Sequence, residues 1–117
     1  MANEIHMDYA SGNTVYAVVR DGAGKVWYPA GKVFEDWGTS GHDADDYDIS
    51  LTDKSGDRYV GDFDTNISAG RYSIQAFLQA GADPADSDDL VGSDEMIWRG
   101  GRRLTIDKIL ANKAVQI

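Results

Sequence analysis

The chain contains no cysteine. A disulfide framework, a thiolate metal site and a cysteine nucleophile are therefore excluded together, and the fold must rest on packing. Basic residues are also scarce, 11 Lys and Arg against 20 Asp and Glu, for a formal charge of -9. That balance argues against a nucleic-acid partner, because phosphate recognition needs a basic surface that releases counterions. No run approaches the roughly 18 apolar residues of a membrane span, so no membrane partner is expected. The opening Met-Ala-Asn-Glu-Ile-His-Met-Asp lacks the basic segment and apolar core of a secretory signal, so the expected location is the cytoplasm. Glutamate is confined to Glu4, Glu35 and Glu95, and every other acid is Asp. Glu favours helices and Asp favours turns, which indicates a β protein with many connections. At 117 residues, with 42% hydrophobic and 10% aromatic content, the chain is long enough for one globular domain.

The clearest pattern lies between Gly70 and Gly81, where Tyr72, Ile74, Ala76 and Leu78 alternate with Ser73, Gln75, Phe77 and Gln79. A period of two predicts a strand, and this one is expected at the centre of the sheet. Thr14 to Arg20 is apolar at successive positions, the pattern of a strand covered on both faces. Asp21-Gly22-Ala23-Gly24 supplies turn chemistry, Lys25 to Tyr28 returns, and Pro29 ends the strand by withdrawing a donor. The first hairpin is thus placed at 14–28. Gly31 to Trp37 reads as an edge strand or an irregular crossing, and Thr39 to Asp46 as a polar loop. Tyr47, Ile49 and Leu51 alternate as a half-exposed strand, followed by a turn at Lys54–Asp57 and a strand over Arg58–Phe63 that pairs with it. Ile5 and Met7 sit in a short polar lead. Ala82 to Asp89 is an acidic connection, and Leu90 to Trp98 is the closing strand.

Short strands at this spacing predict an all-β fold, a small antiparallel sandwich of about seven strands over residues 1–100, with a closed barrel as second choice. After a Gly100-Gly101-Arg102-Arg103 hinge, Leu104, Ile106, Ile109, Leu110, Lys113, Ala114 and Ile117 fall near a helical period. They predict a C-terminal helical tail over 101–117, with Thr105 or Asp107 as N-cap. Its apolar stripe, Ile106, Ile109, Leu110 and Ala114, either contacts a partner or packs on its own sandwich.

Residues that could carry chemistry are few. Asp43, Asp45, Asp46 and Asp48 form an acidic loop, but the calcium-loop glycine is missing and Lys54 stands where a bidentate Glu belongs. Asp83, Asp86, Asp88 and Asp89, with Asp94 and Glu95 beyond, form a second. Both read as solvated loops, so no metal is assigned. His6 and His42 lie in polar segments outside any nucleophile elbow or His-Glu-x-x-His helix, and read as surface residues. Twenty acids make accidental carboxylate pairs common, and nothing selects one for acid–base work. The glycines are turn glycines, with no Gly-x-Gly-x-x-Gly between a strand and a helix. No catalytic residue and no cofactor is expected. Trp27, Tyr28, Trp37 and Trp98 admit two readings, core rings or exposed faces that stack on sugars. Trp27 and Tyr28 are adjacent, so one of them must point away from the core.

The runs Val15-Tyr16-Ala17-Val18-Val19-Arg20, Gly24-Lys25-Val26-Trp27, Tyr47-Asp48-Ile49-Ser50-Leu51-Thr52, Tyr59-Val60-Gly61-Asp62-Phe63, Ala69-Gly70-Arg71-Tyr72-Ser73, Gln79-Ala80-Gly81-Ala82-Asp83-Pro84 and Leu90-Val91-Gly92-Ser93 carry a resemblance. Together they resemble modules of virion-associated proteins from tailed bacteriophages, prophages and related bacterial genomes, over residues 14–98. The segment 107–116 is similar to segments that lead onward into a further domain in such proteins. The resemblance implies an immunoglobulin-like sandwich and a non-enzymatic structural or assembly module of a head, neck, tail or fibre. It implies partners among other virion or assembly proteins, or copies of itself, and location in a virion or in the cytoplasm of an infected bacterium. The alternative is a carbohydrate-binding or host-surface adhesion module using Trp27, Tyr28 or Trp37.

Overall fold

In the computed structural model, which describes residues 3–104, Gly70–Leu78 forms β8, the hub of the larger of two sheets. Val15–Arg20 (β2) and Asp89–Trp98 (β9) pair with it antiparallel on either side. The strand order is β10-β9-β8-β2-β3-β4, with Val26–Tyr28 (β3) and Val33–Glu35 (β4) at one end and Arg103–Leu104 (β10) at the other. A smaller sheet joins Ile5–Asp8 (β1), Arg58–Gly61 (β7) and Thr52–Asp53 (β6). The fold is all-β and sandwich-like, with ten strands among the described residues.

Alternation on these strands makes the core between the sheets. Ile74 and Ala76 of β8, Val15, Ala17 and Val19 of β2, and Ile5 and Met7 of β1 are all buried there. A run of touching rings extends through it: Trp27 on Phe34 at 5.0 Å, Phe34 on Tyr72 at 5.5 Å, Tyr72 on Phe63 at 5.6 Å and Phe63 on Trp98 at 4.5 Å. The polar edges of the buried indoles are satisfied, with Trp98 donating to the Ile67 carbonyl at 3.0 Å and Trp27 to Asp64 at 2.9 Å.

The other set of β2 side chains, Tyr16 and Val18, is buried on the opposite face of the same sheet with Val26, Ala44 and Tyr47. Thus β2 is covered on both sides, as its unbroken apolar run predicts. The cover is a single turn of helix, Ala44–Tyr47 (α1), and its flanking loops.

Four expectations need correction. Ile5 and Met7 are the inward positions of a strand, because a period of two over four residues is enough once β7 offers a partner. Residues 39–46 hold a 3-10 turn at Thr39–Gly41 and the start of α1, whose first turn is closed by paired aspartates. Asp43 accepts the Asp45 N–H at 3.1 Å and Asp46 accepts the Asp43 N–H at 2.9 Å, a capping box written with Asp in place of Glu. Tyr47 therefore ends a helix, and the strand expected over 47–52 is split. Ile49–Ser50 (β5) pairs with β2, and β6 pairs with β7, so the chain changes sheets at Leu51. Finally, Gly100-Gly101-Arg102-Arg103 is a hairpin, with Arg99 N–H bonded to the Arg102 carbonyl at 2.9 Å and both glycines at positive φ. The sheet consequently continues to Leu104. Ile106, Ile109, Leu110, Ala114 and the helix expected for them lie outside the described residues.

Candidate functional site

The outer face of the large sheet carries the polar and aromatic groups from which a site can be built. Two connections cross it, 36–48 and 79–88, and carboxylates hold both in place. Asp88 is only 9% exposed. It accepts the Tyr16 hydroxyl at 2.8 Å, the Ala85 N–H at 2.9 Å and the Ala80 N–H at 3.2 Å. The Ala85 N–H, helped by Tyr16 and Ala80 and opposed by burial, holds its carboxyl below the usual range. Burial first, and then the bond to Asp88, pushes the Tyr16 phenol up. Asp86 accepts the Ala44 N–H at 2.8 Å and so ties one connection to the other. Asp48, by contrast, is raised by burial.

Beside them, Glu35 binds two partners through one oxygen, the Tyr47 hydroxyl at 2.6 Å and His42 Nδ1 at 2.7 Å. The Tyr47 bond is the first cause that lowers Glu35, and burial followed by the Glu35 bond pushes Tyr47 up to about 12. Tyr28 stacks on the His42 ring at 4.0 Å, and the Gly38 N–H donates to Tyr47 at 3.1 Å. A carboxylate that orients an imidazole can serve a general base. Here the same carboxylate is shared with a phenol and the imidazole face is covered by Tyr28. His42 is a half-buried clasp residue rather than the surface residue expected, because Glu35 and Tyr28 hold it down.

The three aromatics singled out from the sequence are thus placed differently. Trp27 is 3% exposed and belongs to the inter-sheet core, so it offers no face to a sugar. Tyr28 is half-buried under His42. Trp37 is half-buried, fixed by Tyr47 at 4.8 Å and by the Arg20 guanidinium at 5.2 Å, and it lines a depression with Arg20, Gln75, Phe77 and Asp86. Arg20, Gln75 and Phe77 were not expected to be part of a site. They share the outward period of β2 and β8, which the alternation could have exposed.

The edge of the large sheet is closed by side chains. Among the described residues, β10 pairs with β9 at Ile97 and Trp98. Beyond that point Arg103 donates to the Glu95 carbonyl and to Asp94, each at 2.9 Å, while Asp94 accepts the Glu95 N–H at 2.8 Å. A bulge leaves Val91 without an opposite residue. Charge and bulge together blunt this edge against addition of another strand.

The acidic loops are exposed at Asp43, Asp45, Asp46, Asp83, Asp86 and Asp89, as expected of solvated runs, while the buried Asp88 and the bond from Ala44 to Asp86 also make them framework. Among the described residues, no three His, Asp or Glu side chains are grouped to hold a metal, and no helix is long and apolar enough to cross a membrane. No family model, curated protein or solved structure matches the chain.

Proposed function

We propose that the chain is a non-enzymatic structural or assembly module of a phage-like particle, immunoglobulin-like in character and acting through protein–protein contacts. One observation carries this reading: the carboxylates and the histidine nearest to a reactive arrangement, Asp88, Glu35 and His42, are spent on holding loops to the sheet. Such a domain is a rigid platform on which contacts are made by side-chain surfaces. The blunted β9 edge disfavours assembly by strand addition there. This turns attention to the outer face and to the apolar stripe Ile106, Ile109, Leu110 and Ala114 beyond β10, with a virion protein or a second copy as partner.

The test is sedimentation of the full chain and of its Leu110→Asp and Ile109→Asp variants, alone and with isolated particles. The full chain is expected to self-associate or to bind particles, and the variants to lose that behaviour while melting like the parent. A monomer that ignores particles, with variants indistinguishable from it, overturns the proposal.

A further inference from the structure

Two depressions on the outer face share Arg20 and Gln75. One, of about 260 Å³, lies between the crossing connections and is lined by Trp37, Phe77 and Asp86. The other, of about 620 Å³, continues over Ser73 and Ser93 toward Asp94 and Glu95. They form one groove across β2, β8 and β9. Its polar groups are held in fixed positions. Arg20 Nε donates to Gln75 Oε1 at 2.8 Å and its Nη1 to the Gly24 carbonyl at 2.9 Å, while the guanidinium rests over Trp37. These bonds do not use the Arg20 Nη2 hydrogens, the Gln75 amide nitrogen or the second oxygen of Asp86, all on residues that line the groove. Phe77, stacked on Tyr16 at 5.6 Å, and the exposed part of Trp37 supply apolar surface beside them.

We infer that this groove binds a neutral saccharide. A sugar ring presents hydroxyls that both give and accept hydrogen bonds around an apolar C–H face. Planar guanidinium, amide and carboxylate groups meet vicinal hydroxyls in pairs, and ring carbons meet the C–H face. The charge around the groove selects against anions. Arg20 is the one cation lining the two depressions, and Arg71 beside Ser73 and Glu95 is matched by Asp21; Asp94 is already paired with Arg103, and Asp86 and Glu95 remain. An acidic sugar or a phosphate would face net repulsion, whereas a neutral polyol meets donors and acceptors in alternation. This inference does not rest on the particle reading, because its observations are the side chains that line the groove.

The experiment is a printed array of neutral and anionic glycans probed with the full chain, followed by calorimetry of the strongest hit. Gln75→Ala removes a polar contact, and Ser93→Trp fills the groove at an exposed position that has room for it. Neutral glycans alone are expected to bind, and each substitution to weaken binding at least tenfold with the thermal midpoint unchanged. The inference is overturned if no glycan binds more tightly than about 1 mM, if anionic glycans are preferred, or if both variants bind like the parent.

Discussion

Replacing Asp88 by alanine tests whether the acidic connection is framework or solvated loop. Three donors converge on this carboxylate: Tyr16 Oη at 2.8 Å, Ala85 N at 2.9 Å and Ala80 N at 3.2 Å. The phenol keeps a fallback in the Ala85 carbonyl at 3.3 Å, and the two amides belong to exposed residues that water can reach. Each buried donor left unpaired costs about 1–3 kcal/mol, so the low end of that range applies to each, and the substitution should cost about 2–4 kcal/mol in total. The effect should also depend on pH with a definite sign. Hydrogen bonds led by Ala85 N–H depress the folded-state value of Asp88 below its unfolded value of about 3.9. Its stabilisation is therefore complete well above pH 4 and fades as the pH falls through the folded value. Urea unfolding followed by tryptophan fluorescence, from neutral pH downward, should show a gap between parent and Asp88→Ala that is constant near neutrality and narrows in acid. Asp88→Asn should recover part of the neutral-pH loss and leave its own stability less sensitive to acid. A neutral-pH gap below about 0.5 kcal/mol, the size of an ordinary surface substitution, would mean that Asp88 is a solvated loop acid after all.

Trp98→Ala removes a fully buried ring from the Phe63 contact and should cost about 3–5 kcal/mol, with Trp98→Phe costing less; equal losses in urea unfolding would contradict the packing argument. A Cβ at Gly61 would lie 2.5 Å from Leu51 Cδ2 and 3.2 Å from the Ser50 carbonyl oxygen. Gly61→Ala should therefore destabilise by about 1–3 kcal/mol. Coupling to Leu51→Ala in a double-mutant cycle checks whether the crossover at Leu51 is the reason. Glu35→Gln should bring the Tyr47 titration down from about 12 toward, but not to, the ordinary phenol value, because burial is the larger cause and remains. Absorbance of the phenolate across an alkaline titration reads this directly, and an unmoved midpoint would deny the Glu35–Tyr47 bond.

Periodic burial made much of the sheet legible in the sequence. β8 is buried at the alternating positions Ile74 and Ala76 and paired on both edges by β2 and β9, and β2 is double-covered, with five successive positions buried. What escaped reading was contact at a distance. Ile5 and Met7 look like a lead until β7 supplies the partner strand some 50 residues on. Tyr47, Ile49 and Leu51 look like one strand because period two does not reveal that Tyr47 closes a helical turn or that Leu51 bridges two sheets. Asp86 and Asp88 resemble solvated loop acids until the donors from residues 16 and 44 are brought to them. For the groove, the outward positions of β2 and β8 were readable as a face, but the meeting of Trp37 with Arg20 depends on how a nonperiodic connection folds back.

Membership of a phage-like particle is decided by banding particles from the source culture on a density gradient and quantifying this chain by mass spectrometry in every fraction. The chain is expected to peak with the particles at a fixed ratio to their other proteins. Intact particles that lack the chain, with all of it left in the soluble fraction, would contradict it.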